Sequence, residues 1–195
     1  MNITVGIVED HTDFRQSLEY LISSQTDLSL GWSFASVEEA LDNFSAADIL
    51  LLDINLPNIS GIEAIQMFKK KGASMKVIML TILDDDHHIL EAIRQGADGY
   101  VLKKSSPVKI TDAIRQVFDG GAALTPMVAK QVLTYLQTGE ISTGAPTNLT
   151  QREKEILALL TQGLTNDTIA GKLFISPQTV RNHIKNIYDK LQVHS

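Results

Sequence analysis

The stretch Asp48–Gly61 reads DILLLDINLPNISG, and its layout decides the fold. Four consecutive apolar residues, Ile49–Leu52, precede Asp53. A short, continuously apolar run is typical of a strand that is covered on both faces in a parallel sheet. Ser60, followed by Glu63, has the pattern of a capping box and predicts the start of a helix. The stretch therefore predicts a strand, a turn and a helix, with Asp53 at the carboxyl end of the strand.

The same unit recurs along the first 119 residues. Short apolar runs rich in β-branched residues predict five strands, at Ile3–Val8, Leu28–Phe34, Asp48–Leu52, Lys76–Leu80 and Gly99–Leu102. Each is followed by an amphipathic stretch that predicts a helix, at residues 11–24, 36–44, 60–71, 84–96 and 107–119. Five strand–helix repeats joined by right-handed crossovers make a doubly wound α/β domain with a parallel sheet.

The remaining sequence has a different character. Thr125–Leu136 predicts one more helix, and Gln137–Asn148 contains two glycines and a proline without periodicity, which is typical of a linker. Leu149–Ser195 is predicted to be a small all-α domain, with helices at about 150–162, 165–173 and 176–191. The predicted domains are thus residues 1–121, a linker helix and flexible linker at 122–148, and residues 149–195.

Charge and composition narrow the function classes. The net charge is −6, but residues 149–195 contain six Lys or Arg and four acids, so that segment is +2 and the first 148 residues are −8. The absence of cysteine excludes disulfides, thiol catalysis and thiolate zinc sites. No apolar run approaches the roughly 18 residues that span a membrane. We therefore expect a cytoplasmic protein with no membrane contact.

Polar residues follow four of the predicted strands. Glu9 and Asp10 follow the first strand, Asp53 the third, Thr81 the fourth and Lys103 the fifth. Ligands of open parallel sheets bind outside the carboxyl ends of the strands. Three carboxylates repel one another unless a cation joins them, and oxygen ligands alone favour Mg²⁺. Such a site suits phosphoryl transfer to a carboxylate, and Asp53 is the expected nucleophile because it ends the central apolar strand.

Each of these residues has an ordinary explanation when it is taken alone. An Asp after a strand usually caps a turn, Thr81 alone suggests a turn hydroxyl, and Lys103 alone suggests a solvated lysine. Asp84–His88 (DDDHH) resembles a metal cluster, but it lies at a predicted helix start, where acids interact favourably with the helix dipole. We expect a local structural role for His11. The joint placement of the polar residues on separate strand ends favours a functional site.

The last predicted helix has two distinct faces. Apolar residues recur at helical spacing and predict a core stripe, at Val180, Ile184, Ile187 and Leu191. Polar residues occupy the opposite side, at Gln178, Arg181, Asn182, Lys185 and Asp189. Such a face is normally solvated surface, but the short helix 165–173 and the turn Phe174–Ser176 precede it. Together they predict a helix-turn-helix, whose second helix enters the major groove of DNA.

The chain resembles two-component response regulators of the NarL/FixJ type. The motifs that carry the resemblance are VEDH (Val8–His11), DINLPNISG (Asp53–Gly61), MLT (Met79–Thr81), GADGYVLK (Gly96–Lys103) and the segment Leu149–Leu191. The resemblance implies a flavodoxin-like receiver domain with strand order 2-1-3-4-5 and a LuxR-type helix-turn-helix domain.

The resemblance also implies roles for the strand-end residues. Asp53 would accept a phosphoryl group from a sensor histidine kinase. The implied Mg²⁺ ligands are Glu9, Asp10, Asp53 and the backbone carbonyl of Asn55. Thr81 and Lys103 would contact the phosphoryl group, and Tyr100 would be the switch aromatic that changes rotamer together with Thr81.

The resemblance also implies roles for residues of the helix-turn-helix domain. Arg181, Asn182 and Lys185 would contact bases, while Lys172 and Thr179 would lie near phosphates. The implied partners are double-stranded promoter DNA, a second copy of the phosphorylated chain and RNA polymerase. The expected function is therefore transcription regulation without enzymatic turnover.

Three rival functions remain open from the sequence. A phosphohydrolase with an aspartyl-phosphate intermediate generally needs an acid two residues after the nucleophile, where Asn55 stands, and turnover of a phosphate ester would support it. A regulator that works without phosphorylation would bind its operator equally well with and without a phosphoryl analogue. A signalling adaptor whose C-terminal helices bind protein would lack salt-sensitive DNA binding.

Overall fold

A computed structural model describes residues 2–82, 86–138 and 149–192, apart from the side chains of 86–88, 127, 131, 135–138 and 192. Strands and helices alternate through its first part, in the order β1 Ile3–Val8, α1 Thr12–Ser23, β2 Leu28–Phe34, α2 Val37–Asp42, β3 Ile49–Asp53, α3 Gly61–Lys71, β4 Lys76–Thr81, α4 Asp86–Arg94, β5 Gly99–Leu102 and α5 Pro107–Phe118. The predicted α/β alternation is confirmed. The third strand lies one residue later than predicted, so Asp53 is its last residue.

The five strands form one parallel sheet in the order β2-β1-β3-β4-β5. This is the strand order that the family resemblance implied. One face of the sheet packs on α1 and α5, and the other packs on α2, α3 and α4. All five residues of β3 are buried, as expected for the central strand of a covered sheet. The strand order reverses between β1 and β3, so the carboxyl ends of these two strands border the crevice where such sheets bind ligands.

Local sequence signals explain where several helices begin. Ser36 and Ser60 cap α2 and α3 by accepting hydrogen bonds from the backbone three residues on, and Glu63 completes a capping box with Ser60. Pro107 occupies the first turn of α5. The cluster Asp84–His88 extends outside the described residues, and α4 begins at Asp86 in the part that is described.

The rest of the described chain is helical. Its helices are α6 Pro126–Thr138, α7 Gln151–Thr161, α8 Asn166–Leu173 and α9 Pro177–Gln192. The predicted core stripe of α9 is confirmed, because Val180, Ile184, Ile187 and Leu191 are all buried. These residues belong to the same apolar cluster as the α2–α4 face of the sheet. No helix within residues 2–82, 86–138 and 149–192 is long and apolar enough to cross a membrane. The predicted linker lies mostly outside the described residues.

A buried acid ties α7 to α9. Glu153 is 2% exposed and closes a capping box, in which its Oε2 accepts a hydrogen bond of 2.6 Å from the backbone N–H of Thr150. Lys190 Nζ lies 2.9 Å and 2.8 Å from the two carboxylate oxygens of Glu153. Burial raises the pKa of Glu153, but the hydrogen bonds from Lys190 and Thr150 outweigh burial and hold the pKa below its ordinary value of 4.5.

Replacing this acid should make the stability difference between variant and wild type depend on pH. Glu153→Gln keeps the cap geometry but loses the charge that Lys190 stabilises, so we expect it to lower the free energy of unfolding at neutral pH by about 1 kcal/mol. Because the pKa of Glu153 is lower in the folded than in the unfolded state, its contribution is complete above about pH 4.5. It is lost as the pH falls through the folded-state pKa.

Urea unfolding of both proteins at several pH values between about 7 and 3.5 measures this difference. Asp189→Asn, an exposed acid on the same helix α9, is the matched control and should change stability by less than about 0.5 kcal/mol. A Glu153→Gln deficit that stays constant down to the lowest pH would contradict the assignment.

Candidate functional site

The sheet brings the predicted strand-end residues to one rim. Glu9 follows β1, Asp53 ends β3, Thr81 ends β4 and Lys103 follows β5, and these four strands are consecutive neighbours in the sheet. The backbone N–H of Lys103 donates to the carbonyl of Thr81 at 2.7 Å, which joins the last two strand ends. The placement follows from parallel strands alone, because all their carboxyl ends lie at the same edge.

Three carboxylates and one ammonium group meet at this rim. One carboxylate oxygen each of Glu9, Asp10 and Asp53 lies within 4.8 Å of the others. Lys103 Nζ is 2.7 Å from Glu9 Oε2 and 2.9 Å from Asp53 Oδ2. Glu9 and Asp53 are 0% and 2% exposed, while Asp10 is exposed. When all four groups are ionised, the negative charge exceeds the positive charge, so the site favours a bound cation.

One carboxylate oxygen of Asp53 has no hydrogen-bond partner among the described residues. Its Oδ2 is paired with Lys103, but its Oδ1 is buried and accepts no hydrogen bond from any described group. A buried carboxylate oxygen without a partner is costly unless a ligand or ion completes it. The group lies in an open cavity of about 680 Å³, whose lining includes Asp10, Asn55, Ile82 and Lys103. This cavity gives a small anionic ligand a route to Asp53.

The ionisation of Glu9 reflects the same crowding. Burial raises the pKa of Glu9, the hydrogen bond from Lys103 lowers it, and the charge of Asp53 raises it again, so that the pKa lies above its ordinary value. A positive ion among the three acids would act in the opposite direction, because it favours the ionised carboxylate.

The loop after β1 and the first turn of α1 hold the acid pair in place, partly with residues that the sequence analysis did not single out. Arg15 Nη1 donates to the backbone carbonyl of Glu9 at 2.6 Å. The ring of Phe14 lies 5.2 Å from Lys103 Nζ. His11 caps α1, because its Nδ1 accepts from the N–H of Phe14 at 3.3 Å, which agrees with the local role expected for it. Phe14 and Arg15 carry no spacing signal, and only the position of the first turn of α1 in the folded chain brings them to the site.

Gly61 is required for the close approach of α3 to the end of β3. A Cβ atom at this position would lie 1.8 Å from the carbonyl oxygen of Asp53 and 2.8 Å from its carbonyl carbon. The N–H of Gly61 donates to the carbonyl of Ile54 at 2.9 Å. The backbone of Asp53 is therefore packed directly against the first residue of α3, which fixes the position of its side chain.

Thr81 and Tyr100 lie deeper in the molecule. Thr81 is 1% exposed at the end of β4, one residue beyond the partner of Asp53 in the strand register. Tyr100 is fully buried in β5, and its backbone N–H donates to the carbonyl of Ala123 at 3.2 Å. Asn55 is exposed at the cavity, two residues after Asp53.

The C-terminal helices form the predicted helix-turn-helix from α8 and α9. Ile175 in the turn is partly buried, whereas Phe174 is 95% exposed and has a left-handed backbone with φ 54°. The helix pattern did not predict this exposed aromatic residue. Arg152 Nη2 donates to the carbonyl of Leu173 at 2.7 Å and so fixes the end of α8.

The polar face of α9 is ordered by its own hydrogen bonds. Arg181 donates to Gln178 Oε1 from Nε at 3.0 Å and from Nη2 at 2.8 Å, and Gln178 donates in turn to Asn182 Oδ1 at 3.2 Å. Thr179 is partly buried at the helix start, where its N–H donates to Ser176 Oγ at 3.0 Å. Exposed positions on this surface include Lys172, Gln178, Asn182 and Lys185. Exposed amide and cationic groups of this kind suit contacts to base edges and phosphates.

Comparison with protein families covers both parts of the chain. Residues 5–115 match the response regulator receiver domain, and residues 147–195 match the bacterial regulatory proteins of the luxR family. The chain is a two-component response regulator. It combines a receiver domain with a LuxR-type DNA-binding domain, which is the pairing that the sequence motifs indicated.

Relatives of this response regulator match nearly the whole chain. The nitrate/nitrite response regulator protein NarL of Escherichia coli K12 is 29% identical over 195 residues, which are 98% of this chain and 90% of NarL. The transcriptional regulatory protein LnrK of Bacillus subtilis 168 is 34% identical over 201 residues, 98% of this chain and 91% of LnrK. Among solved structures, the response regulator ChrA of a heme-sensing two-component system is 31% identical, with a TM-score of 0.58 over 97% of this chain and 90% of ChrA.

A methyl group at position 61 should damage the receiver domain of the response regulator. Gly61→Ala must push the backbone of Asp53 away from α3, and we expect the free energy of unfolding to fall by about 1–3 kcal/mol. Gly171→Ala, in the last turn of α8, is the matched control, because no described atom lies within 4 Å of the added Cβ. There alanine should stabilise the helix by about 0.5–1 kcal/mol.

Urea denaturation of the two variants measures both changes. Opposite signs are expected. A Gly61→Ala variant as stable as wild type would mean that the backbone of Asp53 is not held by this contact.

Proposed function

We propose that a sensor histidine kinase transfers a phosphoryl group to Asp53, and that this controls dimerisation and sequence-specific binding to promoter DNA. Regulation of transcription follows from that binding. The observation that carries the proposal is the state of Asp53. One of its oxygens is paired with Lys103, and the other is buried beside Glu9 and Asp10 without a hydrogen-bond partner among the described residues. The proposed domains are a receiver domain at 1–121, a linker at 122–148 and a DNA-binding domain at 149–195.

The residues at the rim fit a magnesium ion. Three carboxylates that approach within 4.8 Å offer the hard oxygen ligands that Mg²⁺ prefers, and Asn55 lines the same cavity. The proposed ligands are Glu9, Asp10, Asp53 and the backbone carbonyl of Asn55. When bound, the ion would supply positive charge against the repulsion between the acids and the incoming phosphoryl oxygens.

The protein's own contribution to the transfer is positioning and charge. A carboxylate oxygen of Asp53 forms the new P–O bond as the P–N bond to the kinase histidine breaks. The imidazole leaves with the electrons of that bond and takes up a proton. Lys103 reaches Asp53 from the edge of the cavity and offers its ammonium group to the phosphoryl oxygens. Thr81 would contact the same group from the end of β4.

Asn55 argues against a hydrolytic enzyme. A phosphohydrolase with an aspartyl-phosphate intermediate needs an acid near the nucleophile to protonate the leaving group and to activate water. Asn55, which stands two residues after Asp53, has no acidic proton. We therefore propose that the phosphoryl group acts as a signal and that the chain is not a phosphate-ester hydrolase.

The low net charge of the DNA-binding domain explains why two copies are needed to bind DNA tightly. A segment of net charge +2 neutralises few phosphates, so one copy binds DNA weakly. Two linked copies on adjacent half-sites bind more tightly, because the second contact becomes intramolecular. Homodimerisation of the phosphorylated chain is therefore part of the proposal, with RNA polymerase as the partner at the promoter. Because its proposed target is chromosomal DNA, we also propose that the protein is cytoplasmic.

The nucleophile is tested by removing one oxygen. Asp53→Asn should remain folded but take no phosphoryl group from acetyl phosphate in the presence of Mg²⁺, because an amide is not a nucleophile for phosphorus. Wild type should gain a single phosphoryl group, as measured by intact-protein mass spectrometry. Asp13→Asn is the matched control, an exposed acid that lines the same cavity, and should be phosphorylated like wild type. Phosphate uptake by Asp53→Asn would refute the assignment.

Two substitutions separate base reading from phosphate contact. Lys172→Ala should weaken binding to all DNA sequences alike and reduce the salt slope of log K by about 1. Asn182→Ala should leave the salt slope unchanged and lose about 1–3 kcal/mol of discrimination at one base pair. Fluorescence anisotropy at several salt concentrations, with a site selected from random DNA, measures both. Lys154→Ala, an exposed lysine on α7, should change neither quantity. Identical behaviour of all three variants would contradict the proposed DNA surface.

A further inference from the structure

The C-terminal helices are docked on the receiver domain. Helix α9 packs against α4, and α7 packs against α6. Within this interface Tyr188 of α9 is only 2% exposed, although the polar side of the same helix faces solvent. Its hydroxyl donates a hydrogen bond of 3.0 Å to the carbonyl of Ala123, which lies 65 residues earlier in the chain. Tyr188 is therefore a polar anchor within an interface that is otherwise largely apolar.

The acceptor of this hydrogen bond is shared with the sheet. The carbonyl of Ala123 also accepts the backbone N–H of Tyr100 in β5 at 3.2 Å, and Ala123 forms a bridge with Gly99. One oxygen thus connects β5 of the receiver domain to α9 of the DNA-binding domain. The two hydrogen bonds use the two lone pairs of this oxygen, so a displacement of β5 at Tyr100 that pulls on Ala123 also moves the acceptor of Tyr188.

The surroundings keep Tyr188 a hydrogen-bond donor. Burial raises the pKa of Tyr188 far above its ordinary value, and the negative charge of Asp98 and the presence of Tyr100 act in the same direction. Asp98 itself is held by Lys69 at 2.5 Å and by Lys76 at 3.2 Å. The phenol therefore stays protonated across the physiological pH range.

Docking leaves the polar face of α9 open. Gln178, Asn182 and Lys185 are exposed while Tyr188 is buried. Tyr188 follows Lys185 by three residues, which places it about 60° around the helix from that lysine. The contact with the receiver domain thus uses the flank of α9 and not the face that carries the amide and cationic side chains.

We propose that Tyr188 is a positioning residue that seats the DNA-binding domain on the receiver domain through the carbonyl of Ala123. The inference deepens the proposed function and rests on it. Phosphorylation at the strand-end site breaks this contact between Tyr188 and Ala123 by moving β5 at Tyr100. Because the reading face is already exposed in the docked form, release controls the pairing of two chains and not access to the bases of a single half-site.

Removing the hydroxyl of Tyr188 tests the contact with Ala123. Tyr188→Phe keeps the buried ring and should preserve the fold, which circular dichroism checks. We expect the ratio of docked to released molecules to fall about five- to tenfold, the size of effect of one hydrogen bond between neutral groups. Tyr20→Phe is the matched control, because Tyr20 is a tyrosine on α1 that is 79% exposed.

Spin labels measure the docking directly in the full chain. The sequence contains no cysteine, so Met67→Cys on α3 and Lys154→Cys on α7 provide two unique attachment points. Electron–electron distance measurements should give one narrow distance for unphosphorylated wild type and for Tyr20→Phe. Tyr188→Phe should keep this distance as its main component and gain a broad, longer component, and wild type with beryllofluoride and Mg²⁺ should show mainly the broad, longer distribution.

The outcomes separate the two proposals. If the distance distribution of Tyr188→Phe is identical to that of wild type, the proposed role of the Tyr188–Ala123 contact is refuted, whatever the effect of beryllofluoride. Opening in Tyr188→Phe but none with beryllofluoride would uphold the contact and refute phosphorylation as its trigger. By thermodynamic reciprocity, loss of the Tyr188–Ala123 contact should also tighten beryllofluoride binding, by at most the factor with which it loosens docking.

DNA binding tests whether the polar face of α9 is accessible in the docked form. Affinity for a single half-site should agree within about twofold between wild type and Tyr188→Phe, while cooperativity on paired half-sites should rise in the variant. A tenfold or larger gain on the single half-site would show that docking covers the reading residues and would overturn this part of the proposal.

Discussion

The burial of two carboxylates beside one ammonium group, at the end of a parallel sheet, is the constraint on which the rest of this response regulator depends. Glu9 and Asp53 are almost fully buried, and Lys103 lies within ion-pair distance of both. Buried charges are costly unless they are paired, and here the acids outnumber the base. The arrangement therefore favours further positive charge, and its energy depends strongly on the charge at Asp53.

Such a site can act as a switch because its backbone is rigid. Asp53 ends the most deeply buried strand, and Gly61 allows α3 to pack directly against its carbonyl group. The loop that carries Glu9 is held by Arg15, and the last two strand ends are joined by the hydrogen bond between Lys103 and Thr81. In the proposed function, a new group on Asp53 therefore causes a displacement that extends to β4 and β5. At β5 it reaches the carbonyl of Ala123, which is also the acceptor for Tyr188.

Much of this could be predicted from the sequence because it follows from local pattern and from sheet geometry. Apolar runs located all five strands to within one residue, and capping residues located most helix starts. Parallel strands have their carboxyl ends at one edge, so residues as distant as Glu9 and Lys103 could be placed together without coordinates. Phe14, Arg15 and Gly61 could not be assigned in this way. Their roles depend on the path of a loop and on the approach of a helix, which no periodicity encodes.

By itself the sequence determined the alternation of strands and helices, the acids and the lysine at the strand ends, the core stripe of α9 and the family of the chain. These features are local, because each depends on neighbouring residues or on a fixed period. The tertiary structure alone decided that one oxygen of Asp53 is buried without a hydrogen bond from the part of the chain that the structure describes, that Phe174 faces solvent, and that Tyr188 joins α9 to the sheet through Ala123. Each of these depends on how surfaces far apart in the chain pack against each other, and a hydrogen bond across 65 residues leaves no trace in the spacing of either partner.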